Sequence, residues 1–246
     1  MREYEDSELV EKTACPNCPS SDAYAIYDDG GGKSHGYCFS CTTYVHDLTN
    51  DFDEPIQNTI QQKTTTFPSG EYQDIPVRKL FSKSLKKFRY TVGDGKHYAP
   101  YFDKHGTQVA VKVRGENKEF YVVGDMKKAV LFGQQLWAGG AKRLVIFEGE
   151  LDCVSYGQAT NLTWECVSVP SGAAGAAKAV RKNIEFIESH DEACFCFDND
   201  EVGQAAAIEC AALLRPGLAK IAQLPLKDAS DMLVSGRVEE LKTAIY

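Results

Sequence analysis

The chain has no apolar run approaching the roughly 20 residues that span a bilayer, which excludes a membrane helix as its organising element. Its first eight residues, Met1-Arg-Glu-Tyr-Glu-Asp-Ser-Glu, are acidic and hold no apolar core, so they do not read as a secretory signal. Without such a signal the compartment is expected to be reducing, and a disulfide framework is not expected. No internal repeat and no heptad pattern is present, which excludes solenoids and coiled coils. The nearest approach to a phosphate-binding P-loop is Gly30-Gly-Gly-Lys-Ser34. Tyr27 stands where its first glycine belongs, and no strand–loop–helix unit surrounds it, so a nucleotide-driven motor is excluded too.

What is present is an ordinary soluble composition: 246 residues, 43% hydrophobic and 25% charged, enough for one large or two modest domains. The net charge of −8 argues against a polyanion partner until its distribution is read. Residues 1–60 carry 3 basic and 12 acidic side chains, residues 61–128 carry 14 and 7, and residues 129–246 carry 10 and 16. A basic middle between acidic flanks can form a polyanion-binding surface, although solvated helix faces give the same counts.

The nine cysteines are uneven. Four form two tight pairs, Cys15-Pro-Asn-Cys18 and Cys38-Phe-Ser-Cys41, with nineteen residues between them. Two thiolates from each knuckle supply the four soft ligands of a tetrahedral zinc site, which replaces the core that so short a segment cannot build. His35 and His46 are not needed as ligands. The intervening stretch reads as strand, turn, strand, with His35 on a polar loop. The other five, Cys153, Cys166, Cys194, Cys196 and Cys210, sit in apolar surroundings and read as core residues.

Residues 51–76 are polar and read as a flexible linker. Residues 77–93 predict a short basic helix. Hairpin strands follow, and on the strand Val109–Arg114 the period of two places Val109, Val111 and Val113 on one face and Lys112 and Arg114 on the other. From residue 143 apolar strands alternate with helices, at about Leu151, within Ala173–Ile187 and at Glu201–Leu214. That rhythm argues for a parallel sheet covered on both faces.

Three acidic clusters follow strands of that sheet: Phe147-Glu-Gly-Glu-Leu-Asp152, Phe197-Asp-Asn-Asp200, and Asp228 with Asp231 after a strand Lys220–Leu224. The carboxyl ends of parallel strands are where open α/β sheets bind ligands. Converging carboxylates require a cation, and hard oxygen ligands suit Mg²⁺ with phosphate completing its shell. Any one of these acids could instead cap a helix or complement its dipole.

Phe147-Glu-Gly-Glu-Leu-Asp152 together with Phe197-Asp-Asn-Asp-Glu-Val-Gly203 resembles the Toprim domain shared by DnaG-type primases, topoisomerases, OLD-family nucleases and RecR proteins. Adding the four-cysteine ribbon, the Val109–Phe120 stretch, Leu131-Phe-Gly-Gln-Gln-Leu-Trp137 and Leu226-Lys-Asp-Ala-Ser-Asp231, in this order, the chain resembles the primase half of short-tailed-phage primase–helicase proteins. The resemblance implies an α/β chain, α+β overall. A small β zinc ribbon would occupy 1–50 and a linker 51–76. A polymerase domain would follow, with a basic α+β subdomain at 77–140 and a Toprim parallel-sheet subdomain at 141–246. It implies a DNA primase that joins ribonucleoside triphosphates into RNA primers on single-stranded DNA template. Glu148, Asp198 and Asp200 would be catalytic, and Asp152 and Asp228 would support them in holding one or two Mg²⁺ ions, for which Mn²⁺ can substitute. Cys15, Cys18, Cys38 and Cys41 would hold one structural zinc. Lys112, Arg114 and Lys118 would contact nucleotide or template, and His35 and Tyr44 template bases. The implied partners are a replicative helicase, fused or separate, and a replicative DNA polymerase, with no membrane, in the host cytoplasm. Three departures are visible: the nineteen-residue gap, Lys33 where the family is expected to place an acid, and Tyr121 in place of a further lysine. A RecR-like DNA-binding module without catalysis, or a Toprim nuclease, is the alternative reading.

Overall fold

The computed structural model describes residues 7–31, 33–45, 48, 66–115 and 119–246. His46, Lys118 and residues 51–65 of the expected linker lie outside the described residues. The chain divides into two compact units, Met1–Lys63 and Thr64–Tyr246.

The first unit is an antiparallel sheet of β1 (Glu8–Thr13), β2 (Tyr24–Gly30), β3 (Lys33–Cys38) and β4 (Tyr44–Val45), in sequential order. Its core is small: Tyr24 and the two buried thiols Cys15 and Cys38, with Ile26 and Val45 packed alongside. The Tyr24 ring covers Gly36, where an added Cβ would lie 2.0 Å from the hydroxyl oxygen. Gly30 and Gly31 of the rejected P-loop lie at the β2–β3 hairpin, at φ +76° and +65°. His35 lies on β3, opposite Tyr27, and not on a loop, because the hairpin turn is tighter than its glycine content suggested. Strand β1 was not anticipated, since its side chains are almost all exposed and carry no apolar alternation.

The second unit begins with a short 3₁₀ turn, Pro76–Arg78, and helix α1 (Ser82–Lys87). The predicted helix over 77–93 is therefore interrupted. Lys79 and Arg89 adopt φ +50° and +55°, which ends helical geometry on either side while Leu80, Leu85 and Phe88 turn into the core. An antiparallel sheet follows, β5 (Thr91–Gly93), β6 (Lys96–Phe102), β7 (Gln108–Arg114) and β8 (Phe120–Gly124), in sequential order. Before it, Glu71 exchanges both backbone hydrogen bonds with Val92, at 2.9 and 3.0 Å.

The remainder is a parallel sheet with strand order β10-β9-β11-β12: β9 (Arg143–Phe147), β10 (Glu165–Ser168), β11 (Glu192–Cys196) and β12 (Ala219–Ile221). Both faces are covered, which is why the strands are almost wholly apolar. Leu144, Ile146, Ala193 and Phe195 face α3 (Gly172–Lys182), α4 (Ile184–Glu188) and α5 (Glu201–Ala211). Val145, Phe147, Cys194 and Cys196 face α2 (Glu150–Ala159), α6 (Ala229–Val234) and α7 (Val238–Ile245). The five isolated cysteines are all buried. The helix expected within Ala173–Ile187 breaks at Asn183, whose amide and side chain both satisfy the carbonyl of Ala179. Helix α5 ends at Ala211, and β12 ends three residues before Leu224, though Leu224 remains in the core.

The antiparallel sheet presents Ala99, Tyr101 and Ala110 to the same core as α2, while Val111 and Val113 pack with Tyr98 and Phe67 on its other side. The period-two reading of β7 holds from Val111 to Arg114, and its Lys112 face is the one turned toward the parallel sheet; Val109, at a register shift in the ladder, packs against the main core instead of joining Val111 and Val113. Phe132 joins the two sheets. Its backbone pairs with Ser168 at the end of β10, and its ring meets Phe88, Tyr90 and Tyr101 at 5.7, 6.3 and 5.8 Å. Phe132→Ala should therefore cost about 3–5 kcal/mol of unfolding free energy, read by chemical denaturation. A loss below about 1 kcal/mol would place the junction elsewhere.

Candidate active site

A cleft of about 320 Å³ opens where the parallel strands end. Four of the predicted acids line it: Glu148 directly after β9, Asp152 in the first turn of α2, Asp198 just after β11, and Asp228 at the start of α6. Close backbone approach permits this crowding. A Cβ on Gly203 would lie 2.4 Å from the carbonyl oxygen of Asp198, and one on Gly149 would lie 2.7 Å from Oδ2 of Asp152. Asp200 is not among the lining residues. It caps α5, accepting from the amide of Gly203 at 2.8 Å, and Asp228 caps α6 through the amide of Asp231 at 2.7 Å. The capping and cleft readings of Asp228 are therefore both true.

The acids are electrostatically strained. Burial, then the neighbouring Asp198, pushes the Glu148 carboxyl above the usual carboxylate range. Its Oε1 accepts from the amide of Ala173 at 3.2 Å, while Oε2 is buried with no hydrogen-bond partner. Burial also raises Asp198, although Lys227 pairs with it at 3.1 Å. Asp152 is driven furthest, by burial and then by Asp228, and accepts from the amide of Ser230 at 3.0 Å. An orphaned buried carboxylate oxygen among mutually repelling acids is a donor set that fits a divalent cation. The oxygens are not gathered into a closed cage. Among the described residues, only the four cysteines bring three or more ligand atoms within 4.8 Å of one another.

The opposite wall is basic. Lys112 bonds Glu150 at 2.9 Å and the carbonyl of Pro170 at 3.0 Å, and Tyr101 donates to the same Glu150 oxygen at 2.6 Å. Arg114 lines the same cleft, with Arg78 and Lys227. Arg78 donates to the Ser230 hydroxyl at 3.0 Å. His97 and Tyr90 share a 3.0 Å hydrogen bond in the wall. Burial, helped by Arg114 and Arg78, lowers the His97 pKa. The sequence singled out neither Lys227, which adjoins Asp228, nor Glu150, which lies within the first acidic motif. His97 and Phe120 gave no signal, because only the register of β6, β7 and β8 brings them to the cleft.

In the ribbon, the sulfur atoms of Cys15 and Cys41 are 3.6 Å apart and those of Cys18 and Cys38 3.8 Å apart. Tetrahedral zinc with Zn–S near 2.3 Å requires sulfur separations of about 3.8 Å, so the four thiols fit that metal. The Thr43 hydroxyl, 3.1 Å from Cys41 Sγ, draws that thiol below its usual value, while burial pushes the Cys15 thiol up. His35 is sandwiched between Tyr27 and Tyr44, with centroids 5.0 and 5.2 Å away, and pairs with Asp29 at 2.7 Å. Tyr37 and Phe39 extend the same aromatic surface, meeting edge to face at 4.9 Å. Neither Tyr27 nor Asp29 was foreseen, since cross-strand register selects them.

A parallel sheet with acids at its strand ends, facing a basic antiparallel sheet, defines a Toprim-type fold. Residues 145–233 match the family described as Toprim-like, and residues 70–124 match the N-terminal α+β fold of the bacteriophage T7 DNA helicase/primase. The DNA helicase/primase of Enterobacteria phage T3 is 31% identical over 261 residues, covering 100% of this chain and 45% of that protein. The chain thus spans about half the length of that relative. The crystal structure of the primase fragment of the bacteriophage T7 primase–helicase aligns with a TM-score of 0.70 at 28% identity, over 97% of this chain and 100% of the fragment. A chain from the bacteriophage T7 lagging-strand DNA polymerase structure, which holds primase domains of two subunits bound to an RNA/DNA hybrid and dTTP, is 32% identical. It covers 72% of this chain and 91% of that one, with a TM-score of 0.67. The chain belongs to the primase family of phage primase–helicase proteins.

Two predictions follow from these geometries. Replacing Cys38 by serine should release the ribbon's metal, so that metal analysis of the purified chain falls from one zinc per chain to none. An unchanged zinc content would move the site elsewhere. Because the folded-state pKa of Asp152 is raised, stability is present below the unfolded carboxylate value of about 3.9 and is lost as pH climbs toward the folded value. Asp152→Asn removes that loss. In magnesium-free buffer at pH 8 the variant should be more stable than the parent by on the order of 1 kcal/mol, with the gain vanishing near pH 3. A destabilised variant at pH 8 would contradict the assignment.

Proposed function

We propose that this chain is a DNA-directed RNA polymerase of the primase type, joining ribonucleoside triphosphates into short primers on single-stranded DNA. One observation carries the reading: buried, repelling acids and a wall of cationic side chains share one cleft at the ends of parallel strands. Glu148, Asp198 and Asp200 are assigned the catalytic acids, with Asp152 and Asp228 supporting them. Glu148 Oε2, raised in pKa and without a partner, is suited to take a proton from the attacking 3′-hydroxyl or to ligate a cation. Lys112 and Arg114 would neutralise phosphate oxygens, with Lys118 continuing that basic stretch, and Arg78 and Lys227 add to the same wall. Mg²⁺, one or two ions, or Mn²⁺ in its place, would supply Lewis-acid stabilisation of the phosphoryl transfer and of the departing pyrophosphate.

The ribbon is assigned template selection. Its single zinc would fix the β-hairpin, and the His35–Tyr44 stack, on which a base can lie, would meet unpaired template. The domain limits 1–50, 51–76, 77–140 and 141–246 belong to the same proposal. So do a replicative helicase, fused or separate, and a replicative DNA polymerase as partners, and the host cytoplasm as the site of action. Among the described residues no helix is long and apolar enough to cross a membrane.

The test is primer synthesis by the full chain with labelled ribonucleotides, Mg²⁺ and random single-stranded templates. Short RNAs that begin at a common template motif are expected, and Glu148→Gln should lower their rate at least about a hundredfold. Nicking of DNA without nucleotides would replace this reading with a nuclease. DNA binding without incorporation, in the presence of an added phage helicase, would replace it with a binding module.

A further inference from the structure

Phe120 is an anomaly of the basic wall. It stands on the outer strand β8, it is 55% exposed, and it nevertheless lines the acid cleft. Its register partner is Arg114, and Val122 pairs with Lys112, so the ring shares the face that carries both cations. Lys112 Nζ lies 5.3 Å and Arg114 Cζ 5.5 Å from its centroid. A large apolar ring left open to water in a charged cleft gains nothing for the fold, since it joins none of the buried clusters. Two cations over an aromatic ring are held there by its quadrupole. Lys112 is also fixed from behind by Glu150 at 2.9 Å, which ties the ring's position to the acids across the cleft.

We infer that Phe120 is the stacking platform for the nucleobase of the nucleoside triphosphate whose phosphates Lys112 and Arg114 hold. This deepens the proposed polymerase reading and rests on it for the identity of the ligand. The cations read the phosphates and the ring reads the base, so a ligand with both gains from two independent contacts. A stack on a flat ring has no donor–acceptor pattern, and the platform would accept all four bases, as template-directed synthesis requires. Phe120 is thereby a substrate-positioning residue, and it does no chemistry itself.

The test compares the binding of ATP with that of inorganic tripolyphosphate, which has the phosphates and no base, to the full chain by titration calorimetry with Mg²⁺ present. Phe120→Leu keeps an apolar side chain and removes the ring. It should weaken ATP roughly 5- to 100-fold, the range for one base–aromatic stack, and leave tripolyphosphate unchanged. Phe120→Trp should restore ATP binding, and both variants should melt at the parent temperature. Equal losses for the two ligands would mean that the ring only arranges the cations, which overturns the inference. Unchanged ATP binding in Phe120→Leu, or no ATP binding by the parent chain, would overturn it as well. Selective loss in a chain that binds ATP but makes no primers would uphold the platform while refuting polymerisation.

Discussion

Like charges at short range dominate this molecule. Glu148, Asp152, Asp198 and Asp228 are brought to one cleft because three parallel strands end side by side and Gly149 and Gly203 allow close approach to Asp152 and to the Asp198 backbone. Backbone amides of Ala173, Ser230 and Asp231 offset only part of the cost of that arrangement. Burial and mutual repulsion raise the proton affinity of Glu148, Asp152 and Asp198, and an oxygen of Glu148 is left buried without a partner. The core beneath them supports this cost, with both faces of the parallel sheet covered by helices and the inward residues of its strands apolar. The remaining compensation is electrostatic, through Lys227 on Asp198 and Lys112 on Glu150.

The antiparallel sheet completes the arrangement. Its alternation sends Val111 and Val113 to an outer cluster and turns Lys112 inward, where it faces the acids. The joint at Phe132 keeps the two sheets in register, so that a shift of one residue along β7 would replace the cations with valines. The charge pattern of the cleft and the specificity of the fold therefore depend on the same strand.

Much of this was legible beforehand. The acids were found because each follows an apolar run, and the parallel sheet explains both features at once. The cysteine pairs were legible because tetrahedral coordination fixes their spacing. The period of two assigned the faces of β7 from Val111 to Arg114 and missed Val109, where the ladder shifts register. What sequence could not supply was register. Tyr27 and Asp29 meet His35, and Phe120 meets Arg114, only through cross-strand pairing. Helix α7 went unnoticed because a short amphipathic segment near residue 240 has no cap side chain to announce it, although Leu241 and Ile245 enter the main core. Asp200 shows the converse limit. Its motif marks it as catalytic, and its side chain caps α5 beside the cleft.

The central claim is that the acidic and basic walls together hold one triphosphate through divalent metal. Its most direct test is a crystal of the full chain grown with ATP and Mn²⁺, examined by anomalous scattering from manganese. The account predicts manganese bound by the carboxylates of Glu148 and Asp198, with the triphosphate between it and the Lys112–Arg114 face. Manganese and nucleotide outside this cleft, with the acids unligated, would contradict it.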